Sequence, residues 1–441
     1  MGHLRQLKQE YRDLADRLGT GAGYAFVEPA DPRAWSGWRE ILEILYSPAD
    51  AELGARMPVF PQTLPRLSQR LGIPEAELGR RLDAMCDKGI VMDLVDPKGG
   101  PTTYLLSPPV VGFVEFSFMR AQDTIPKKRM DEAFDAYVHG DTALFQEVMN
   151  GDAVLARTLA YESAIPEDAP EVLDWERASA LVASARTVAV SLCTCRHKAK
   201  HLGHACEAPA ENCLSLNAGA DFVVRRGFGR RLDSAEGLRI LAESRDLGLV
   251  NLADNVQGKP IFLCSCCKCC CELIRPMNLY DIRGVNPSGF LAVCEPARCA
   301  GCSRCARACP IGAVSVVPQK ATAEHAPGRK NALQGSIDTE RCIGCGVCVA
   351  ACKKGAMALT RRKDPPHVPV NGVERAVRIA LDHNRLADLL FDQGGSLGAR
   401  FLNRAMRALL GLPPAKRLLA SEQLRSRFVR VALQRIADPI P

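Results

Sequence analysis

Read as a pattern of apolar and polar positions, the chain opens with a helix: Leu4, Leu7, Tyr11, Leu14 and Leu18 recur at helical spacing among charged neighbours, and Gly19 and Gly21 end the run. From 63 to 108 the pattern predicts a short helix, a turn at Gly72, a second helix over about 74–88, and two apolar strands around DPKGGP. Residues 126–184 read as helical and polar, with a loop signal at AIPEDAPE. The character changes at Thr187. A β-rich run over 187–192 leads into Cys193 and Cys195, a helix follows over about 234–245 with Asp233 or Ser234 as its cap, and 260–263 leads into Cys264. That order predicts a small α/β layer in which Cys193 and Cys264 open onto one edge, at the carboxyl ends of parallel strands. Beyond 371 the pattern predicts short helices broken at Gly394, Gly395, Pro413 and Pro414.

The 441 residues are 47% apolar and 24% charged, enough for folded domains and too apolar for disorder. No apolar run approaches the length of a membrane helix, and the first residues, MGHLRQLKQE, lack the apolar stretch of a secretory signal. The expectation is a cytoplasmic protein. Net charge is +7, but residues 361–441 hold 15 Lys/Arg against 7 Asp/Glu, so the rest is close to neutral. Such a basic tail suits docking to an acidic redox partner, or peripheral contact with an anionic membrane surface. The fold class expected is α+β multidomain: a helical part over 1–125, a helical linker over 126–184, a cysteine-rich α/β domain over 185–289, a ligand-loop domain over 290–362 and a basic helical tail over 363–441.

The helix pair and hairpin of the first part resemble a winged helix-turn-helix. In that family the second helix reads DNA, yet between Pro74 and Lys88 this one offers Arg80, Arg81 and Lys88 against Glu75, Glu77, Asp83 and Asp87. That balance argues against DNA as a partner.

Cysteine usage carries the chemistry. Nineteen of the twenty cysteines fall between Cys193 and Cys352, with Cys86 alone outside; in a reducing compartment, thiols bunched this way point to metal rather than cystine. Between Glu295 and Thr360 the sequence repeats with an offset of 43, pairing Arg298 with Arg341, Gly301 with Gly344, Gly312 with Gly355 and four cysteines with four cysteines. Each copy has the spacing C-x2-C-x2-C-x3-C. Structural zinc usually takes two C-x2-C pairs on separate knuckles, so four thiols within eleven residues favour [4Fe-4S].

Two such motifs in register resemble the bacterial two-cluster ferredoxin domain, over residues 290–362. The resemblance implies that the first three cysteines of one motif and the fourth of the other share a cluster. Cys299, Cys302, Cys305 and Cys352 would hold one, and Cys342, Cys345, Cys348 and Cys309 the other. Two departures stand out: the proline that follows the fourth cysteine is present as Pro310 but replaced by Lys353 in the second copy, and 32 residues separate Cys309 from Cys342. The stretch 319–335 reads as a polar surface loop.

A second field of cysteines lies upstream. One block carries Cys193, Cys195, Cys206 and Cys213, with His197, His201 and His204 between them; the other, CSCCKCCCE, carries Cys264, Cys266, Cys267, Cys269, Cys270 and Cys271. If the second block begins a helix, Cys267, Cys270 and Cys271 share a face, and the helix N-terminus favours thiolates. The two blocks are expected to hold at least one further metal centre, an iron–sulfur cluster or zinc. Candidate ligands are Cys193, Cys195, Cys206, Cys213, Cys264, Cys266, Cys267, Cys270 and Cys271, with Cys193, Cys195, Cys206 and Cys213 as one set. The chain as a whole is similar to a group of anaerobe 4Fe-4S proteins that join a helical part to a cysteine field and a ferredoxin domain, which implies architecture and no reaction.

No phosphate-binding G-x-x-x-x-G-K-[ST] occurs, no C-x-x-C-H marks covalent haem, and neither GAG at 21–23 nor RRGFGRR at 225–231 completes a dinucleotide fingerprint. The functional expectation is an iron–sulfur electron-transfer protein, in which two [4Fe-4S] clusters pass single electrons to or from a mid-chain metal cluster and a redox partner. The alternatives are a reductase with that mid-chain cluster as its active site, and an iron–sulfur redox-sensing DNA-binding regulator.

Overall fold

The computed structural model describes residues 7–19, 24–58, 60–121, 125–149, 151, 154–167, 172–320 and 331–386. The short helices expected beyond residue 386 lie outside the described residues. The chain forms two compact units, one of Met1–Ala153, Val224–Phe228 and Pro369–Pro441, the other of Val154–Val223 and Gly229–Val368.

The first unit is mainly helical. Helix α1 (Gln9–Leu18) buries Tyr11, Leu14 and Leu18, as its spacing dictates. Helix α2 (Pro32–Leu45) starts where the Asp31 carboxylate accepts the N–H groups of Arg33 and Ala34, with Pro32 at the first position, where a missing N–H costs nothing. Helix α3 (Pro48–Arg56) opens with a capping box between Ser47 and Asp50. The elements expected over 63–108 form: α4 (Leu64–Leu71) ends at Gly72, and α5 (Glu75–Lys88) buries Leu78, Leu82, Met85 and Cys86. Strands β2 (Val91–Leu94) and β3 (Thr103–Leu106) pair as a hairpin, and β1 (Gln62–Thr63) adds to β3, giving an antiparallel sheet ordered β1-β3-β2. Burial, reinforced by the Asp93 charge, pushes the Cys86 thiol up to about 12, which leaves it an inert core residue.

The second unit is built on a seven-stranded sheet ordered β10-β4-β8-β9-β6-β5-β7. Its strands are β4 (Ala156–Leu159), β5 (Val188–Leu192), β6 (Glu211–Leu216), β7 (Arg230–Leu232), β8 (Val250–Asp254), β9 (Phe262–Cys266) and β10 (Val285–Asn286). Alternate side chains such as Val188, Val190, Leu214, Leu216 and Leu263 enter one core with Ile240 and Leu241. The latter two lie on the helix Ser234–Asp246, whose cap is Asp233, accepting from the Glu236 N–H at 2.7 Å.

One expectation about this sheet is corrected. Strands β5 and β9 are not parallel neighbours, because β6 lies between them and is antiparallel to both. Since β6 reverses the direction twice, β5 and β9 still point the same way. The end of β5, the start of β6 and the end of β9 therefore share one edge, which brings Cys193, Cys213 and Cys264 together.

In the segment that carries the 43-residue repeat, β11 (Phe290–Cys294) pairs antiparallel with β14 (Met357–Arg361), and β12 (Val314–Lys320) with β13 (Asn331–Ile337). The strand before the first motif thus pairs with the strand after the second, as a duplication closing on itself requires. Of the stretch expected as a surface loop over 319–335, residues 319–320 belong to β12 and 331–335 to β13, and 321–330 lie outside the described residues.

Candidate metal centres

The duplication extends to backbone conformation. Gly301 and Gly344 have φ of 65° and 66°, Ser303 and Gly346 of 60° and 83°, and Gly312 and Gly355 of 67° and 62°, each pair 43 residues apart. Glycine is required at 301 and 344 on two counts, the positive φ and the neighbours: a Cβ would strike Leu333 at the first position and the Phe290 carbonyl at the second. Each fourth cysteine accepts a backbone N–H at its sulfur: Ala313 N to Cys309 Sγ at 3.2 Å, and Ala356 N to Cys352 Sγ at 3.3 Å. Such N–H···S bonds stabilise charge on a sulfur ligand.

The two cysteine groups cross between the motifs. Cys309, Cys342, Cys345 and Cys348 line one small cavity together with Pro310, Ile311, Ile343 and Gly344. On the other side, Cys305 has Cys352 and Cys299 as its nearest thiol charges. Burial pushes the Cys345 thiol up to about 12, so a cationic metal is what would make it a thiolate there. Lys353 is exposed at the surface.

Upstream, the structure sorts ten thiols into two groups, and neither is the set read from spacing. Cys206, Cys267, Cys269 and Cys270 have sulfurs all within 4.8 Å of one another. Cys269 and Cys270 are 3.8 Å apart, about the edge of a tetrahedron around a single ion with metal–sulfur bonds of about 2.3 Å. Burial pushes the Cys206 thiol up, but the Ala208 N–H and the contacts with Cys267, Cys269 and Cys270 outweigh it and bring it down to about 7. A group with one thiol this ready to ionise is suited to a soft cation.

The second group follows the sheet edge. Cys193 meets Cys195, Cys195 meets Cys271, Cys271 meets Cys266, and Cys266 meets Cys264. Cys264 Sγ then lies 3.8 Å from Cys213 Sγ, and Cys213 feels the charges of Cys193 and Cys195 in turn. Two backbone donors point at these sulfurs: Glu272 N to Cys195 Sγ at 3.5 Å and Leu273 N to Cys271 Sγ at 3.4 Å. Contacts with Cys195 and Cys266, helped by the N–H groups of Leu273 and Ile274, bring the Cys271 thiol down to about 6.

Several expectations change. Cys206 belongs with the second block rather than with Cys193, Cys195 and Cys213. The block is not a helix: Phe262–Cys266 is strand, and helix returns only at Arg275–Leu279, so Cys267, Cys270 and Cys271 share no helical face. Cys271 joins the sheet-edge group while Cys267 and Cys270 join the other. Cys269, missed as a candidate, is a full member; the signal was its place in KCCC immediately before Cys270. The histidines stand apart, with His197 and His201 Nε2 atoms 3.2 Å from each other and none within the four-thiol group.

Two buried cations lie beside these groups on the helix Thr194–His201. Lys198 pairs with Glu272. Arg196, 2% exposed, donates to Pro209 O at 3.1 Å, Asn212 Oδ1 and Ser265 O at 2.8 Å. All three acceptors are neutral, and its Nε is buried with no acceptor. The thiols of Cys193, Cys267 and Cys266 act on it electrostatically, and the Cys206 thiol is in contact with it.

The four-thiol group also adjoins the segment that carries the repeat. Lys268, between Cys267 and Cys269, donates Nζ to Arg307 O at 3.3 Å, on the short helix that carries Cys305. Asn278 Nδ2 donates to Pro310 O at 2.9 Å.

No described helix is long and apolar enough to cross a membrane. The search of curated proteins and the search of solved structures each return no match, and the comparisons bring no support for the winged-helix resemblance. Residues 298–357 match the family described as a 4Fe-4S dicluster domain, so this chain carries a dicluster domain, with its two [4Fe-4S] clusters, inside a larger protein.

Proposed function

We propose that the protein is an electron-transfer component, in which the two [4Fe-4S] clusters exchange single electrons with a metal centre in the cysteine-rich segment 185–289 and with a redox partner. The observation that carries this reading is adjacency: the four-thiol group of Cys206, Cys267, Cys269 and Cys270 is tied through Lys268 to the helix bearing Cys305. In the reading, Cys299, Cys302, Cys305 and Cys352 hold one cluster and Cys342, Cys345, Cys348 and Cys309 the other. The clusters supply reversible one-electron chemistry. The chain's own part is to bury the sulfurs, aim the Ala313 and Ala356 N–H groups at two of them, and keep the loops closed through Gly301 and Gly344.

A second reading, a reductase acting at the mid-chain centre, is favoured by the exposure of Cys269, which opens the four-thiol group to a substrate or a partner. The regulator reading gains nothing, because Asp83 and Asp87 of α5 are exposed acids held by Arg226. Such a surface repels phosphate.

The test is anaerobic purification of the full chain, followed by iron and acid-labile sulfide analysis and EPR after reduction. At least about eight irons per chain and the spectrum of two interacting clusters are expected. A colourless, iron-free protein that accepts no electrons overturns the reading.

A further inference from the structure

The segment 185–289 contains more thiol than one centre can use, and the thiols are divided by geometry. Among the described residues, only Cys206, Cys267, Cys269 and Cys270 have donors all within 4.8 Å of one another. That is the compactness of a single tetrahedral ion. The six sheet-edge thiols touch one another in sequence but do not converge in this way. Six thiols strung along one edge are more than the four that a tetrahedral ion takes.

We propose that Cys193, Cys195, Cys213, Cys264, Cys266 and Cys271 enclose an iron–sulfur cluster separate from a single metal ion held by Cys206, Cys267, Cys269 and Cys270. The inference rests on the reading that the thiols of this segment are metal ligands, and it doubles the number of centres that reading requires.

Three independent features support it. The first is the pair of N–H···S bonds from Glu272 and Leu273. They repeat, at comparable distance, what the fourth cysteines of the dicluster domain receive from Ala313 and Ala356. Backbone donors turned toward sulfur are the protein's means of holding negative charge on a cluster.

The second is Arg196. Among the described residues, this guanidinium, 98% removed from solvent, has three neutral acceptors, the Cys206 thiol beside it and a buried Nε without an acceptor, and no carboxylate to balance it. Burying such a charge unpaired is costly. A cluster with cysteine thiolates is anionic, and Arg196 lies beside Cys193 and Cys266 of one group and Cys206 and Cys267 of the other. It supplies the fixed positive charge that two neighbouring anionic centres need.

The third is the origin of the ligands. Cys193 follows β5, Cys213 lies on β6, and Cys264 and Cys266 alternate along β9 onto one face, as strand periodicity demands. A site built on adjacent strands of a rigid sheet keeps its geometry without the metal, unlike one carried on a loop.

The experiment measures iron, sulfide and zinc per chain in the anaerobically purified full-length protein and in two variants, Cys269→Ser and Cys264→Ser/Cys266→Ser. The proposal expects about twelve irons, eight from the dicluster domain and four from the sheet-edge group. Cys269→Ser, at an exposed position, should keep all twelve while losing the single ion. The double variant should fall to about eight irons and keep that ion. If the double variant does not fold, Cys269→Ser still decides. Iron falling from twelve to eight in Cys269→Ser places the cluster at the four-thiol group and overturns the proposal. Wild-type protein with eight irons and an intact dicluster spectrum also overturns it, while leaving electron transfer through the dicluster domain standing. Iron-free protein removes both.

Discussion

Cys213 and Cys264, 51 residues apart in the chain, stand directly opposite each other on β6 and β9 with their sulfurs 3.8 Å apart. With no metal between them and an oxidant present, two thiols so placed are ready to bond. Chelator-stripped protein treated with mild oxidant should yield a Cys213–Cys264 crosslinked peptide by mass spectrometry, and metal-loaded protein should not. Equal crosslinking in both forms would show that no metal shields the pair.

The crossing of ligands between the two motifs has its own test. Cys309→Ser should disturb the same EPR component as Cys348→Ser, and Cys352→Ser the same component as Cys302→Ser. If Cys309→Ser instead groups with Cys302→Ser, each motif binds its own cluster and the crossed assignment is wrong.

The Arg196 guanidinium favours the more negatively charged, reduced state of any cluster beside it. Arg196→Gln should therefore lower the potential of the mid-chain cluster, by about 60 mV for each 1.4 kcal/mol of lost interaction in a one-electron couple. A redox titration followed by EPR reads the shift, and the dicluster signals serve as the internal control. An unchanged or higher mid-chain potential contradicts this role.

Glu176 holds the end of β14 through a two-pronged pair, Arg361 Nη1 to Oε1 at 2.7 Å and Nη2 to Oε2 at 3.0 Å. Arg361 also lies over the Phe290 ring on the partner strand β11, 4.9 Å from its centre. Glu176→Gln leaves a half-buried guanidinium with one weak acceptor and should cost about 1–3 kcal/mol. Urea unfolding of the metal-loaded protein reads this cost, and loss of the β11–β14 pairing should show as faster amide exchange there. Unchanged exchange and midpoint would mean that the pair is idle.

In the first unit, Asp93 accepts from both Arg225 and Arg226. Burial alone would raise its carboxyl, but the two guanidiniums outweigh it and hold it below the ordinary value. A depressed carboxyl contributes stability above its unfolded pKa of about 3.9, and that stability is lost as pH falls through the lower folded value. Asp93→Asn should cost about 3 kcal/mol near neutral pH, at the low end for a buried pair because Arg226 keeps Asp83 and Asp87. The gap between wild type and variant, followed by amide exchange in β2, should narrow as pH falls below the unfolded carboxyl value and close as it passes through the lower folded one. A gap that persists there would mean that Asp93 acts through packing rather than charge.

What the sequence determined by itself is whatever local spacing encodes. The 43-residue repeat, its eight cysteines and its glycines prescribe two compact ligand loops, because each loop closes within eleven residues and needs no distant partner to define it. The helix caps at Asp31, Ser47 and Asp233 are likewise written within four residues of where they act. The division of the other thiols was decided by tertiary structure. Cys206 meets Cys267, Cys269 and Cys270, and Cys271 turns back to Cys195, because β9 ends at Cys266. Up to that residue the thiols obey the two-residue alternation of a strand; beyond it they follow a turn. A run of identical side chains carries no periodicity to reveal where one regime gives way to the other. The insertion of β6 between β5 and β9 is also a matter of long-range pairing, and it is this antiparallel strand that gathers six sulfurs along one edge.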